Sequence, residues 1–301
     1  MSNQNSINDQ HIQTFEAKLQ LIRDRVSSVI HGYHTGAYLV GRPGTSKTYT
    51  VREHLEQSDV PWVYQNARMT PMGLFSFIAD HPEHVIVLDD IVSLFKNDQA
   101  MQLMMAGLDG TPGTARVVTY KSKDAEQRVL FTGAIIAISN VPLRCDPLAR
   151  ALGSRVVMLE HEPSDEEVGA YIRLLATKGF DGLTTDECFQ VSEFLISETR
   201  ENDMRLDLRH FNKALRDFRQ HKDGHAKTSW RDLVRTSLKR LATEPVVPTT
   251  KKEEKALHRD LVRKALLEFP NDAKAQIQAS GLKSSTFYAR RKEVLAEDKA
   301  A

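Results

Sequence analysis

One stretch, from Gly41 to Thr48, constrains the fold more than any other part of this 301-residue chain. It has the sequence Gly-Arg-Pro-Gly-Thr-Ser-Lys-Thr and lies between an apolar run at 37–40 and a helical pattern at 49–57. Glycines let the backbone turn with positive φ, and a following helix adds the partial positive charge of its N-terminus. A strand, a glycine-rich turn and a helix in this order predict a phosphate-binding loop.

The loop pattern assigns roles to its side chains. Lys47 is expected to reach the β- and γ-phosphates of a nucleotide, and the Thr48 hydroxyl to hold Mg²⁺. Ser46 departs from the usual pattern, which has glycine there, and we expect a helix-like backbone to tolerate its Cβ. A chance loop rich in Gly, Thr and Ser is the alternative. The residues assigned to nucleotide binding are Gly41, Arg42, Pro43, Gly44, Thr45, Ser46, Lys47 and Thr48.

Polar side chains end two later apolar runs. The run at 84–88 is followed by Asp89 and Asp90, and the run at 134–138 leads to Asn140. Carboxyl ends of parallel strands form the edge at which ligands bind. Asp89 is expected to hold Mg²⁺ through water, Asp90 to orient the attacking water, and Asn140 to point toward the γ-phosphate. Capped strand ends and a turn-forming asparagine are the alternatives.

The net charge of +1 conceals an asymmetry along the chain. Residues 1–199 carry 17 Lys/Arg and 25 Asp/Glu, whereas residues 200–301 carry 24 and 15. A basic final third indicates a polyanionic partner, most simply nucleic acid. Solvated helix faces are the alternative.

Targeting signals and cysteines indicate the compartment. No apolar run approaches the roughly 18 residues of a membrane span, and the N-terminus lacks a signal-peptide apolar core. Cys145 and Cys188 are the only cysteines and have no metal-binding spacing. We therefore expect a reduced, cytoplasmic protein without a membrane partner.

Hydrophobic periodicity and composition divide the chain into five segments. They are an N-terminal helix at 1–30, with its first nine residues disordered, an α/β nucleotide-binding domain at 31–163, a segment of helices only at 164–243, a linker at 244–253 and a helix-turn-helix-like domain at 254–301. Within the α/β segment, two short strands at 116–120 and 128–131 predict a hairpin inserted before the run at 134–138.

These motifs, in this order, resemble those of the AAA+ ATPases over about residues 30–243. Gly41–Thr48 is similar to the Walker A motif, Val85–Asp90 to Walker B, Asn140 to sensor 1, Arg155 to the arginine finger and Arg209 to sensor 2. The resemblance implies ATP and Mg²⁺ as cofactors and a parallel five-stranded P-loop sheet of order 5-1-4-3-2, with a helical lid and a small all-α C-terminal domain. It assigns catalysis to Asp90, Asn140, Arg155 and Arg209, and the metal to Thr48 and Asp89.

The resemblance also implies assembly. The arginine finger of this family acts on the nucleotide of a neighbouring subunit, so Arg155 implies a homo-oligomer, either a hexameric ring or a filament. Arg150 is the reserve candidate for that role, and a surface salt bridge is the alternative for Arg155. For Arg209 the alternative is an ordinary lid-helix arginine.

The inserted hairpin resembles the pre-sensor-1 hairpin of a clade that includes superfamily 3 helicases and the MoxR group. Lys121 and Lys123 lie at its predicted tip, where lysines would contact nucleic-acid phosphates without sequence preference. Solvated lysines on a surface hairpin are the alternative.

The tail predicts a helix-turn-helix from two helices at 272–279 and 284–296. The exposed side of the second helix is expected to carry Thr286, Tyr288, Arg290, Arg291 and Lys292. A basic helix of this kind can lie in a DNA major groove, and we assign DNA contacts to the last three of these residues. A partner-binding helical bundle is the alternative.

Together these patterns predict an oligomeric, ATP-hydrolysing protein that acts on DNA as a helicase-like motor, a loader or a DNA-coating assembly. Its size and appended tail suit a mobile element or phage, by analogy. Two other functions stay open. They are a MoxR-type chaperone that remodels a protein client, and a DNA-binding regulator switched by ATP.

Overall fold

The computed structural model describes residues 2–90, 94, 97–122, 126–143, 147–238, 251–270 and 272–300. The chain divides into two compact units. One covers Met1–Pro142 and Pro147–Leu241, and the other covers Leu143–Asp146 and Ala242–Ala301.

The first unit alternates strands and helices and then continues with helices. Its described elements are α1 (Ser2–Ile30), β1 (Gly36–Val40), α2 (Lys47–Glu56), β2 (Trp62–Gln65), α3 (Pro71–Asp80), β3 (Val85–Asp89), α4 (Asp98–Leu108), β4 (Arg116–Lys121), β5 (Glu126–Phe131), β6 (Ala134–Ser139), α5 (Pro147–Gly153), β7 (Val157–Glu160), α6 (Asp165–Thr177), α7 (Thr185–Glu201), α8 (Leu208–Lys222) and α9 (Trp230–Leu238). The expected α/β class is confirmed.

Five strands form a parallel sheet in the order β2-β3-β6-β1-β7. The labels differ from the expected 5-1-4-3-2 because β4 and β5 are counted along the chain but pair only with each other. Numbered among themselves, the five sheet strands run 2-3-4-1-5 in space, which is the expected order read from its other end.

The central strands are apolar because helices cover both faces of the sheet. Every residue of β3 and β6 is buried. Leu39, Val87 and Ile136 contribute to a core shared with α1 and the helices after β7. Ile135 lies on the opposite face of β6, which is the face that contacts α4. The polar residues that end these strands therefore reach one edge of the sheet.

Helix α1 joins the sheet domain to the helices α6–α9. Phe15 stacks on Tyr171 of α6 at a ring-centroid distance of 4.5 Å. The expectation of disorder at 1–9 is wrong, since α1 begins at Ser2. Each residue added to a nucleated helix gains a hydrogen bond, and Asn8 Oδ1 also accepts one from Arg173 Nη1 at 3.4 Å.

Helices α6 and α7 begin with capping boxes. Ser164 followed three residues later by Glu167 is the sequence pattern of a capping box. The box forms, since the Ser164 hydroxyl accepts from the Glu167 N–H while the Glu167 carboxylate accepts from the Ser164 N–H. Thr184 and Glu187 form the same pair at α7. These bonds satisfy N–H groups that a helix N-terminus leaves without a partner.

Strands β4 and β5 form the inserted hairpin in the register Arg116↔Phe131. The strands are longer than expected, at 116–121 and 126–131, so the turn is shorter. Val118 and Phe131 are buried, whereas the facing pair Val117 and Leu130 is exposed. Residues 123–125 lie outside the described part of the chain.

The second unit contains α10 (Lys251–Glu268), α11 (Ala273–Ser280) and α12 (Ser284–Ala300). Its core comprises Val262, Ala265, Phe287 and Val294. Most of the expected linker lies outside the described residues, but its last three positions belong to α10. None of the helices in the described residues combines the length and apolar character needed to span a bilayer.

Candidate functional site

A cavity of about 620 Å³ lies at the carboxyl edge of the sheet. Its lining combines the end of the glycine-rich loop with residues from α1, α2, α6, α8 and the ends of β3 and β6. The lining residues are Glu16, Leu19, Arg23, Gly44, Thr45, Ser46, Lys47, Thr48, Tyr49, Thr50, Glu53, Asp89, Asp90, Asn140, Tyr171, Leu175, Lys178, Leu208, Arg209 and Asn212.

Lys47 is the buried cation of this cavity. Its Nζ donates to the carbonyl oxygens of Gly41 at 2.7 Å and Arg42 at 2.5 Å, and to Asn140 Oδ1 at 3.1 Å. Burial lowers the pKa of Lys47 to about 8, against the opposing charges of carboxylates that include Glu162 and Asp89. Phosphate oxygens would raise this pKa again and favour the charged form further, because they supply negative charge.

The backbone at Ser46 differs from the expectation of a helix-like conformation. Ser46 has φ 69° and ψ 8°, which is the left-handed region. A Cβ in this region is crowded by the backbone, whereas glycine enters it freely. The position therefore demands the conformation that glycine would adopt, and serine occupies it with strain.

Thr48 and Asp89 form an oxygen pair at the floor of the cavity. The Thr48 hydroxyl donates to Asp89 Oδ2 at 2.8 Å, and the Tyr64 hydroxyl donates to the same oxygen at 2.9 Å. A hydroxyl and a carboxylate are ligands suited to Mg²⁺, which takes few protein groups and keeps several waters. No cluster of three or more His, Cys, Asp or Glu side chains suited to a metal occurs within the described residues.

Asn140 connects Lys47 to Asp90. Its Nδ2 donates to Asp90 Oδ1 at 2.8 Å while its Oδ1 accepts from Lys47. Burial and the neighbouring Asp89 carboxylate raise the pKa of Asp90, against the charge of Arg209. Asp90 also adopts a positive φ of 52°. The amide thus holds the carboxylate at the site assigned to water orientation.

His161, which sequence analysis did not select, supports the loop from behind. It directly follows β7, it is buried, and its Nε2 lies 3.0 Å from the Thr45 carbonyl oxygen. A carbonyl only accepts, so Nε2 carries the hydrogen. Burial lowers the pKa of His161 to about 4. Its own carbonyl lies against Gly41, where a Cβ would overlap it. A strand end followed by a histidine is a signal too weak to have found this contact.

The start of the glycine-rich loop lies outside the cavity. Gly41, Arg42 and Pro43 are not among the described residues that line it. The Arg42 side chain is buried and forms an ion pair with Asp165 at 2.6 Å. The structure therefore brings five of the eight assigned loop residues to the cavity and turns Arg42 away from it.

Arg209 reaches the cavity from α8. Asp207 caps that helix by accepting from the His210 N–H at 2.6 Å, and the Leu208 N–H donates to the Gly44 carbonyl at 2.8 Å. Arg209 lines the cavity, and its charge influences the pKa of both Lys47 and Asp90. Helix α8 thus brings the Arg209 guanidinium to the cavity that also contains Lys47.

One wall of the cavity was missed by sequence analysis. Glu16, Leu19 and Arg23 of α1 and Tyr171 of α6 belong to it. Phe15, Leu19, Ile22 and Val26 recur at helical spacing, which predicts the buried face of α1 and includes Leu19. It could not indicate that a cavity lies beside that face.

Arg155 lies at the other edge of the sheet. It precedes β7, and with Thr35 it lines a separate hollow of about 340 Å³. Its Nη1 donates to the Ala151 carbonyl at 2.7 Å, and its Nε lies 3.2 Å from Asp109 Oδ1. Arg155 therefore does not contribute to the cavity that holds Lys47 in its own chain. Arg150, the reserve candidate, is exposed on α5.

The residues assigned to DNA contact differ in how far their side chains are exposed and in whether they form ion pairs. Lys121 is exposed and pairs with Glu126 at 3.2 Å, while Lys123 lies outside the described residues. On α12, Lys292 is exposed, but Arg290 is mostly buried and pairs with Glu293, and Arg291 is half-buried. The expectation that Arg290 lies on the exposed side is therefore wrong, because Arg290 is three residues after Phe287 and four before Val294 and so flanks the buried face of α12, which packs against α10.

Comparison with known proteins finds similarity to solved structures, among them two from Thermotoga maritima. No family model matches the chain, and no curated protein does. Domain III of the Thermotoga maritima replication initiation protein DnaA matches with 13% identity over 75% of this chain and 90% of that chain, at a TM-score of 0.45. An arginine-to-alanine variant of Thermotoga maritima RuvB matches with 13% identity over 91% and 83%, at a TM-score of 0.46. Functional assignment therefore rests on the residues of this chain.

Proposed function

We propose that this protein is an ATP-hydrolysing enzyme of the AAA+ type that acts on DNA as a homo-oligomer. The observation that carries the proposal is the meeting of Lys47, Thr48, Asp89 and Asn140 at one cavity, at the carboxyl edge of a parallel sheet. Such an edge is where α/β proteins bind their ligands.

The side chains of the cavity fit ATP and Mg²⁺. Lys47 would exchange its two carbonyl contacts for phosphate oxygens, and Thr48 and Asp89 would hold the metal. Bound Mg²⁺ would neutralise charge on the phosphates. Asp90 would orient the attacking water, and Arg209 would face the terminal phosphate from the lid.

Assembly would complete the site. Arg155 lies at the opposite edge of the sheet, away from its own cavity, and would serve a neighbouring subunit. To do so it would leave Asp109, and an exposed ion pair of this kind is worth only about 0–1 kcal/mol. A guanidinium beside the γ-phosphate would then make hydrolysis depend on oligomerisation.

The basic final third of the chain supports DNA as the partner. Lys292 is exposed on α12, the second helix of a pair joined by a short turn at Gly281, as in helix-turn-helix proteins. Lys121 is exposed on the hairpin. These positions favour a motor, a loader or a DNA-coating assembly. A channel that handles polypeptide would be lined by aromatic residues, and Tyr120 is the aromatic residue near the hairpin tip. Its ring instead packs on Phe75, at a centroid distance of 5.9 Å.

The proposal is tested by the steady-state ATPase rate without nucleic acid, with single-stranded DNA and with duplex DNA, each at two salt concentrations. We expect DNA to stimulate the rate, and the stimulation to decline at high salt because counterions compete for phosphate contacts. Lys47→Ala is expected to abolish turnover. A Lys47→Ala protein with full activity would refute the proposed catalytic site. An ATPase rate that does not change when DNA is added would refute DNA as the partner.

One observation favours a second candidate, a DNA-binding regulator switched by ATP. Asp90 is one methylene shorter than the usual glutamate and is held by Asn140 at 2.8 Å, which suits slow hydrolysis. DNA binding that requires ATP but not its hydrolysis would support the regulator. DNA-stimulated turnover would support the motor.

A further inference from the structure

One arginine of the glycine-rich loop, Arg42, has a buried side chain and does not line the cavity. The Arg42 guanidinium donates to the backbone carbonyls of Leu206 and, at 3.3 Å, Pro163, and it pairs with Asp165 at 2.6 Å. All three partners lie after β7, at the base of the lid. A buried charge is tolerated only when it is paired and hydrogen-bonded, and Arg42 meets both conditions.

Asp165 closes this network. Its Oδ1 accepts from the Leu206 N–H at 3.3 Å as well as pairing with Arg42. Arg42 in turn donates to the Leu206 carbonyl. The peptide groups on both sides of Leu206 are therefore held, one through the loop arginine and the other through the first residue of α6.

A second contact joins the same two segments. The Leu208 N–H donates to the Gly44 carbonyl at 2.8 Å. A Cβ built on Gly44 would lie 2.5 Å from Asp207 Cβ, so only glycine permits this approach. Two residues of the loop, Arg42 and Gly44, thus fix the chain from Leu206 to Leu208, and Arg209 comes next.

We infer that Arg42 is a positioning residue that holds Arg209 over the phosphate end of the cavity, and so sets the preference for a triphosphate over a diphosphate nucleotide. This rests on the proposed function, since it requires that a nucleotide binds at Lys47. Arg209 is the group that acts on the ligand, and its charge already reaches Lys47 and Asp90.

The geometry requires arginine and not merely a positive charge. Two nitrogens of the Arg42 guanidinium serve two carbonyls and a carboxylate at once. A lysine would keep the ion pair with Asp165, but its single ammonium group could not span the same partners in the planar, forked arrangement. Arg42→Lys therefore loosens the segment before Arg209 and leaves an opposite charge beside Asp165.

The test measures the affinities of the full-length protein for AMP-PNP and for ADP, both with Mg²⁺, by isothermal titration calorimetry. The variants are Arg42→Lys, Arg209→Ala and the double variant. We expect each single variant to lower the ratio of AMP-PNP to ADP affinity by about tenfold, and the double variant to lower it no further, because coupled residues are not additive. Losses that multiply in the double variant, or equal losses for both ligands in Arg42→Lys, overturn the inference.

Two further variants separate positioning from folding. Arg173→Lys is the matched control, since Arg173 also makes a forked pair, with Glu193, but away from the loop. It should leave the affinity ratio unchanged, and a tenfold loss there would overturn the inference. The Asp165 carboxylate is partly exposed, so its replacement in Asp165→Asn should be tolerated by the fold. This variant should shift the affinity ratio in the same direction as Arg42→Lys, and it replaces Arg42→Lys in the test if that protein does not fold. A wild-type protein that binds neither nucleotide overturns the proposed function as well, whereas wild-type binding with additive variants overturns this inference alone.

Discussion

At Ser46 the backbone adopts a conformation that favours glycine, although the residue carries a side chain. Its φ of 69° lies in the region that L-residues avoid at a cost of roughly 1–2 kcal/mol, and glycine avoids that cost. We expect Ser46→Gly to raise the free energy of unfolding by about 1 kcal/mol, measured by urea denaturation. Ser58→Gly, at a position without positive φ, is the control and should be neutral or destabilising through the entropy of the unfolded chain. A destabilised Ser46→Gly protein would contradict the strain.

His161 should make the protein sensitive to acid. Its folded pKa of about 4 lies below the value near 6.5 of an unfolded histidine, so the unfolded state binds more protons between these two pH values. Stability is therefore expected to fall by up to about 3 kcal/mol as the pH drops from 6.5 to 4. Burial is the main cause, with Lys47 and Lys18 opposing protonation and Glu167 favouring it.

The variant that isolates this effect is His161→Gln. A glutamine amide can still donate to the Thr45 carbonyl but does not titrate. Urea denaturation at several pH values should show a smaller acid loss for His161→Gln than for the wild-type protein. Equal slopes for the two proteins would assign the acid loss to other groups.

At the scale of elements, α11 and α12 together offer a matched pair of exposed lysines. Lys292 is exposed on α12 and Lys274 is exposed on α11. If α12 faces the phosphates of DNA, Lys292→Ala should reduce the slope of log affinity against log salt by about 0.9, since one phosphate contact is lost. Lys274→Ala should leave the slope unchanged. Fluorescence anisotropy with duplex DNA would measure both, and equal slopes for the two variants would count against α12 as the contacting helix.

Element ends show how much of the site could be predicted from sequence. Lys47, Asp89 and Asn140 follow apolar runs, and parallel strands bring such ends to one edge, so their meeting could be expected. The direction of the Arg42 side chain could not be expected, because its partners Asp165 and Leu206 lie far along the chain, at the start of α6 and just before α8. Amphipathic spacing reveals which face of an element is buried but not what covers it.

In the tail, the spacing within one helix carries the information. Phe287 and Val294 are seven residues apart, a helical spacing that predicts one buried face, and both are buried. Arg290 lies three residues after Phe287 and four before Val294, so it flanks the face that packs against Val262 and Ala265 of α10, and it is mostly buried. The position of each basic residue relative to this face decides which of them remain available to a partner.

For the whole molecule, the placement of Arg155 predicts complementation between subunits. We expect Arg155→Ala to bind nucleotide normally but to lose ATPase activity, on the order of 10³-fold, because the developing charge on the γ-phosphate loses its partner. Mixing it with Asp90→Asn should restore part of the activity, since each variant supplies the group that the other lacks. ATPase assays over a range of mixing ratios would measure this.

Arg150→Ala is the control for that experiment, because Arg150 is exposed on α5 and lies only a short distance earlier in the chain. It should retain activity alone. Activity in the mixtures that merely equals the sum of the two variants would argue that Arg155 does not act across a subunit boundary. A lost activity in Arg150→Ala would move the role to that residue.

The bridging position of Asn140 has a thermodynamic consequence. If the Asn140 amide changes its hydrogen bond with Lys47, its hydrogen bond to Asp90 changes as well, because both belong to the same planar group. Any ligand that draws Lys47 away must therefore also change how readily Asp90 accepts a proton, and by linkage the protonation of Asp90 must change the affinity for that ligand. In this cavity, ligand binding at Lys47 and protonation of Asp90 are therefore coupled equilibria.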